Sequence, residues 1–321
     1  MKYRGHLPQL DGDLFLTDGG IETVLIFQEG IDLPMFAAFD LLKDEEGAGR
    51  LRRYYAPYVA LARERGVGFV LESPTWRASP RWAGELGYDV EQLDQLNREA
   101  IALLELIRDE QSEAGPPIVI SGCVGPQDDG YNPAELLAVE AAQGYHSTQI
   151  HTFAGTAADM VTAITMTYAD EAIGIARAAE DAGIPVAISF TVETDGRLPS
   201  GQELGDAIET VDAETDRAPA YFMINCAHPT HFEQVLKSGG AWRQRVRGLR
   251  ANASTKSHTE LDEATELDDG DPVDLGARYA SLRERLPQLS VLGGCCGTDH
   301  RHVAEIRNAC LVGESPTAAG G

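Results

Sequence analysis

Apolar residues along this chain gather in eight short runs, each closed by small or polar residues. They are "LFLTDGG" (14–20), "GFVLES" (68–73), "PIVISGC" (117–123), "DMVTAIT" (159–165), "PVAISFT" (185–191), "AYFMINC" (220–226), "VRGLRANAS" (246–254) and "LSVLGGCC" (289–296). β-Branched and aromatic side chains dominate most of them. Continuous apolar runs of this length suit parallel strands buried on both faces. The seventh is interrupted by arginines. Between the runs lie stretches with helical periodicity: 46–65, 90–111, 132–156, 168–183, 200–215, 229–239, 271–286 and 299–313. The stretch 90–111 is the most plainly amphipathic. The stretch 132–156 opens like a helix, with Asn132 as cap and Pro133 in first position, and 168–183 ends in a glycine stop.

Eight strands alternating with eight helices predict an α/β protein of a single domain, a (β/α)8 (TIM) barrel. A doubly wound open sheet is the main alternative. That fold usually shows a glycine-rich phosphate loop early, and "DGGIET" (18–23) is neither that nor a P-loop. The expected layout is an N-terminal extension (1–13), the barrel (14–313) and a flexible tail (314–321). The acidic, turn-rich stretch 255–272 is expected to be a long loop after the seventh strand.

Charge narrows the function classes. With 51 acidic and 26 basic residues the formal net charge is −25, which argues against nucleic acid or an acidic membrane as a partner. The N-terminus lacks a signal-peptide apolar region, and no apolar run approaches the ~20 residues that span a bilayer. A cytoplasmic location is expected. The five cysteines, 123, 226, 295, 296 and 310, are too few and too scattered for a disulfide framework. Metal-binding or catalytic thiols fit such a set better.

In a barrel, function gathers at the C-terminal ends of the strands. Those ends carry Asp18-Gly19-Gly20, Glu72-Ser73, Gly122-Cys123, Thr165, Thr191-Val192-Glu193, Asn225-Cys226, Asn252 and Cys295-Cys296. Three cysteines, Cys226, Cys295 and Cys296, therefore share one rim. Three soft thiolates suit zinc with a fourth position open, but adjacent cysteines depart from the familiar C-x2–4-C spacing. Small buried residues in a turn would explain the same pattern, so the pattern alone leaves both explanations open.

The segments "TDGGIET" (17–23), "ISGCVGP" (120–126), "INCAHPTHF" (224–232) and "GGCCGTDHRHVAEI" (293–306) together resemble the homocysteine S-methyltransferase family, over about residues 14–312. The resemblance implies a (β/α)8 barrel with Zn2+ held by Cys226, Cys295 and Cys296. It implies methyl transfer from a small cationic donor to a thiol, homocysteine giving methionine. The partners implied are a small-molecule thiol acceptor and a methyl donor. Asp18 and Gly19 match the motif that binds the amino-acid end of homocysteine. Ser73 stands where relatives often have a threonine for that end. Asn225 precedes the first zinc cysteine, and its expected role is to fix the strand end or a ligand sulfur. Trp76, after the second strand, either lies over the cationic donor or packs. Cys123 and Cys310 match no zinc position, and His228, His231, His300 and His302 are expected at helix starts or on the surface.

One position departs from the family. Relatives carry a glutamate after the fourth strand that binds the homocysteine ammonium, and here Ile164 aligns with it. Glu72 or Glu193 would have to replace it, or the acceptor is a different thiol. The chain is short for added folate- and cobalamin-binding modules, so a free donor is expected: S-methylmethionine, S-adenosylmethionine or a betaine. A non-catalytic zinc-thiolate sensor is the competing class. A barrel hydrolase or lyase lacks a convincing base or nucleophile.

Overall fold

The protein is described by a computed structural model covering residues 1–311 except 113, 132 and 265. Eight parallel strands close into a barrel in sequence order: β1 (Phe15–Leu16), β2 (Gly68–Glu72), β3 (Ile118–Val124), β4 (Met160–Met166), β5 (Val186–Phe190), β6 (Tyr221–Asn225), β7 (Val246–Ala251) and β8 (Val291–Gly294). β8 pairs with β1 to complete it. One strand falls on each apolar run of the sequence, β3 and β4 extending one residue beyond theirs, and almost every strand residue is buried. Burial on both faces explains why the runs are continuous rather than alternating. The helices are α1 (Glu45–Arg65), α2 (Pro80–Glu85), α3 (Val90–Asp109), α4 (Val139–Ala154), α5 (Ala169–Ala182), α6 (Leu204–Glu214), α7 (Pro229–Lys237), α8 (His258–Asp262), α9 (Pro272–Arg285) and α10 (His300–Cys310). Among the described residues no helix is long and apolar enough to cross a membrane.

Two expectations are corrected. The helix expected over 132–156 begins at Val139, and Asn132 lies outside the described residues. The backbone ahead of it is held as a loop by side-chain acceptors. Asp128 Oδ2 accepts from the N–H groups of Ala134 and Glu135, and Tyr168 Oη accepts from that of Leu137. The loop expected over 255–272 contains α8, started by Ser257 and Glu260 capping each other's backbone N–H. The expected tail, 314–321, lies outside the described residues.

Residues 1–13 close the N-terminal end of the barrel. Leu7 joins the interior layer of Phe15, Val70, Val119 and Met160, and Gln9 is fully buried beneath them. The anchor is Asp159, with no exposed surface. Its Oδ1 accepts from the backbone N–H of Lys2 (2.6 Å) and Tyr3 (2.7 Å), and its Oδ2 from Ile120 N (3.0 Å) and Arg108 Nη1 (3.0 Å). A carboxylate is the one small group that satisfies four donors at once. Asp159→Asn is therefore expected to destabilise the fold by about 2–3 kcal/mol, the worth of hydrogen bonds to a charged group. A denaturant midpoint equal to wild type would refute this role.

Candidate metal centre and active-site cavity

The opposite ends of the strands surround a cavity of about 540 Å3. Cys226, Cys295 and Cys296 all line it, and their three sulfurs lie within 4.8 Å of one another. The Cys226 and Cys296 sulfurs are 3.3 Å apart. Four Zn–S bonds of ordinary length in a tetrahedron put sulfurs about 3.8 Å apart, so the trio needs only small adjustments to hold a metal ion.

The local backbone explains how the trio forms. Cys226 has a left-handed φ of +54°, which a non-glycine residue keeps only when its surroundings hold it. Its N–H donates to the Arg250 carbonyl (3.0 Å), and its own carbonyl accepts from His258 Nε2 (2.6 Å). Beyond β8, the Cys295 N–H donates to the Ala251 carbonyl, and the Cys296 carbonyl accepts from Ala253 N. Two of the surrounding glycines are required there. A Cβ on Gly294 would lie 2.0 Å from Thr298 Oγ1, and Gly297 adopts a φ of +79°. Adjacent cysteines thus share one sulfur cluster because a tight glycine turn aims both at Cys226.

The thiols are electrostatically unequal. Hydrogen bonds from Cys226 and Cys296, with the charge of Arg250, hold Cys295 well below the ordinary thiol range. Sharing with Cys295 pushes Cys226 up. Tyr131 Oη lies 2.7 Å from the Cys226 sulfur and 3.6 Å from that of Cys296. The Tyr131 ring packs on His258, 4.3 Å between centroids, and His258 Nδ1 meets Glu193 Oε1 at 3.0 Å.

A buried ionic cluster lies beside the sulfurs. Arg250 Nη2 donates to Asp18 Oδ1 (2.7 Å) and the Gly19 carbonyl (3.2 Å), Nη1 to Glu72 Oε2, and Nε to the Gly294 carbonyl (3.1 Å). Tyr54 Oη donates to the other Asp18 oxygen at 2.8 Å. Burial pushes the Asp18 and Glu72 carboxyls up, opposed by Arg250. Burial also pushes the Glu22 carboxyl, on the same cavity wall, up to about 7.

The homocysteine S-methyltransferase family model matches residues 15–310, nearly the whole chain. The chain belongs to the homocysteine S-methyltransferase family. Family membership places it among the methyltransferases. Its fold is similar to that of homocysteine methyltransferase MmuM from Escherichia coli. The oxidized form superposes with a TM-score of 0.72 at 18% identity, covering 94% of this chain and 99% of that one. The metallated form gives 0.69 at 19% identity, covering 92% and 96%. No curated protein matches the sequence.

Within this homocysteine S-methyltransferase fold the sequence-selected residues divide into two groups. Asp18, Gly19, Glu72, Ser73 and Trp76 line the cavity with the three cysteines. Glu72 and Ser73 both line it although they are neighbours at the end of β2, with the chain bending next at Pro74. The Ser73 hydroxyl is engaged, accepting from Cys123 N (2.9 Å) and meeting Thr75 Oγ1 (2.7 Å). Asn225 and Glu193 are not on the cavity wall. Asn225 Oδ1 accepts from Thr165 N (3.0 Å) and Ser189 Oγ (2.6 Å), while its Nδ2 donates to Thr165 Oγ1 (2.8 Å). It thereby holds Thr165 at a φ of +67°, a conformation a β-branched residue rarely adopts. Ile164 is 7% exposed and forms an apolar part of the wall.

His228 caps α7, and His302 caps α10 reciprocally with Asp299, so neither reaches the sulfurs. Cys123 is a buried wall residue outside the sulfur trio. Arg250, Tyr131, His258, Arg77 and Glu22 were not singled out by sequence. Arg250 left a signal: a charged residue inside an otherwise apolar buried strand must find a partner there.

Proposed function

We propose that this chain is a zinc-dependent S-methyltransferase that moves a methyl group from a small cationic donor to a thiol, with homocysteine as acceptor and methionine as product. The observation that carries this is the convergence of three cysteine sulfurs at the wall of one cavity in a member of this family. Cys226, Cys295 and Cys296 would hold the zinc, and their soft sulfur donors suit it. Bound there, zinc would lower the pKa of a thiol entering as fourth ligand, supplying a thiolate nucleophile at neutral pH.

The remaining work falls to the chain's own groups. Asp18 and Gly19 would hold the amino-acid end of the acceptor, with Ser73 and Glu72 beside them. Asn225 would tie the ends of β4, β5 and β6 together under the site. In the transfer a new S–C bond forms as the donor's bond to its methyl carbon breaks, and the donor leaves as a neutral amine or thioether. The acidic cluster around Arg250 favours a cationic donor before transfer over the neutral product after it. Trp76 would offer an aromatic face to that cation, although Arg77 already lies over its ring at 4.2 Å.

A second version, in which the acceptor is a thiol without a free amine, is favoured by three observations. Ile164 is apolar, Glu72 is engaged by Arg250, and Glu193 is off the cavity wall and engaged by His258. The deciding experiment is metal analysis of the purified protein, followed by a screen of S-methylmethionine, S-adenosylmethionine and betaine against homocysteine and amine-free thiols. Stoichiometric zinc with methyl transfer to homocysteine is the expected result. Transfer only to amine-free thiols selects the second version. Zinc without any transfer selects a zinc-thiolate sensor, and absence of zinc rejects both.

A further inference from the structure

Arg77 is the one cavity-wall cation whose hydrogen bonding is left incomplete among the described residues. It is 6% exposed and lines the cavity with Trp76, Tyr131 and Ile164. Its guanidinium is clamped between two indoles, 4.2 Å from the centroid of Trp76 and 3.6 Å from that of Trp82. A guanidinium has five N–H donors, and charge-assisted bonds normally close to about 2.7–2.9 Å. Those of Arg77 are long. Nη1 lies 3.5 Å from the Asp128 carbonyl, Nη2 lies 3.9 Å from Asp129 Oδ2, and Nε has no partner.

Of the nearby carboxylates, Asp128 is committed elsewhere and Asp129 meets Arg77 only through the long contact. Asp128 Oδ1 pairs with Arg81 at 2.7 Å, and its Oδ2 accepts from Ala134 N and Glu135 N. Asp129 Oδ1 accepts from Tyr131 N at 2.8 Å. Arg250 offers a contrast within the same cavity, since all three of its guanidinium nitrogens have close partners. Stacking fixes the Arg77 plane in advance, which lowers the entropy cost of binding a planar anion edge-on.

We propose that Arg77 is a carboxylate-binding subsite of the cavity, and that one of the two reaction partners carries a carboxylate that pairs with it. The charge layout orients such a molecule. The Asp18–Arg250–Glu72 cluster carries more acid than base and repels an anion, so the carboxylate lies at the Arg77 wall and any cationic group toward the cluster. One guanidinium with open donors, in a cavity whose other arginine is already paired, matches one carboxylate better than a doubly charged phosphate. The proposal rests on the methyl-transfer reading only for which molecule is bound.

The test is binding to the zinc-loaded protein, by calorimetry and by the fluorescence of Trp76 and Trp82. Two pairs of probes distinguish the sources: homocysteine against its carboxamide for the acceptor, and trimethylglycine against its carboxamide for the donor. In wild type one pair is expected to favour the carboxylate by about 10–100-fold, the equivalent of charge-assisted hydrogen bonds. Arg77→Gln is expected to abolish that preference. Arg77→Lys keeps the charge but loses the planar fork, and is expected to retain only part of it. If Arg77→Gln does not fold, Arg77→Lys alone decides, an unchanged preference refuting the proposal. Absence of any carboxylate preference in wild type, including absence of binding, overturns it. Because the readout is binding, a protein that binds these probes but transfers no methyl would sink the enzymatic reading and leave the subsite standing.

Discussion

Arg250→Met is expected to destabilise the protein by about 3–5 kcal/mol at neutral pH, the cost of leaving buried charges without their partner. Arg250 is 8% exposed and sits between Asp18 and Glu72, both buried. Methionine fills much of the same volume, so the loss is electrostatic rather than a cavity. The pH dependence distinguishes this from simple loss of packing. The folded pKa values of Asp18 and Glu72 are already raised by burial in the wild type, and losing Arg250 raises them further. A carboxyl with a raised folded pKa binds more protons in the folded state than in the unfolded state. Its contribution therefore worsens as pH rises above the ordinary carboxyl range of about 4. The variant should regain stability relative to wild type as the pH is lowered from about 8 toward about 5. Denaturant titrations of both proteins across that range would show it, and a difference independent of pH would refute the electrostatic account.

Cys295→Ser is expected to abolish stoichiometric zinc. The loss should exceed the roughly 10–100-fold that follows removal of a group merely supporting a metal ligand. Hydrogen bonds from the other two thiols and the charge of Arg250 hold the Cys295 thiol below its ordinary range. A serine hydroxyl is nearly isosteric but neither soft nor ionised at neutral pH. The fold should survive, since the turn depends on glycines and backbone hydrogen bonds rather than on this sulfur. Metal analysis beside a far-ultraviolet circular dichroism spectrum separates the two effects. Zinc retained at full stoichiometry would remove Cys295 from the metal site, and with it the proposed chemistry.

Not all of the site was equally legible from sequence. The three cysteines could be picked out because an Asn-Cys and a Gly-Gly-Cys-Cys-Gly stand at strand ends, and a closed barrel brings all strand ends to one rim. Arg250 was legible only as an interruption of the seventh strand. Its meaning lies in partners 178 and 232 positions away in the chain, which no local pattern encodes. Tyr131 and Arg77 sit in loops, where periodicity says nothing of direction. The late start of α4 was hidden for a related reason, because Asp128 and Tyr168 take backbone donors that a helix could otherwise have used. Glu72 and Glu193, equal candidates by sequence, are separated in space: one is on the cavity wall beside Arg250, the other stands behind it, bonded to the wall residue His258.

By itself, then, the amino-acid order determined the barrel, its eight strands and the family. Burial on both faces writes itself into continuous apolar runs, and glycine turns can be read from composition. Tertiary structure alone decided which charges meet. Ion pairs inside a barrel join residues from different strands, and their cost or benefit depends on burial and distance. So it was folding that placed Asp18, Glu72 and Arg250 in one buried cluster, and that left Arg77 stacked between two tryptophans with its hydrogen bonding incomplete.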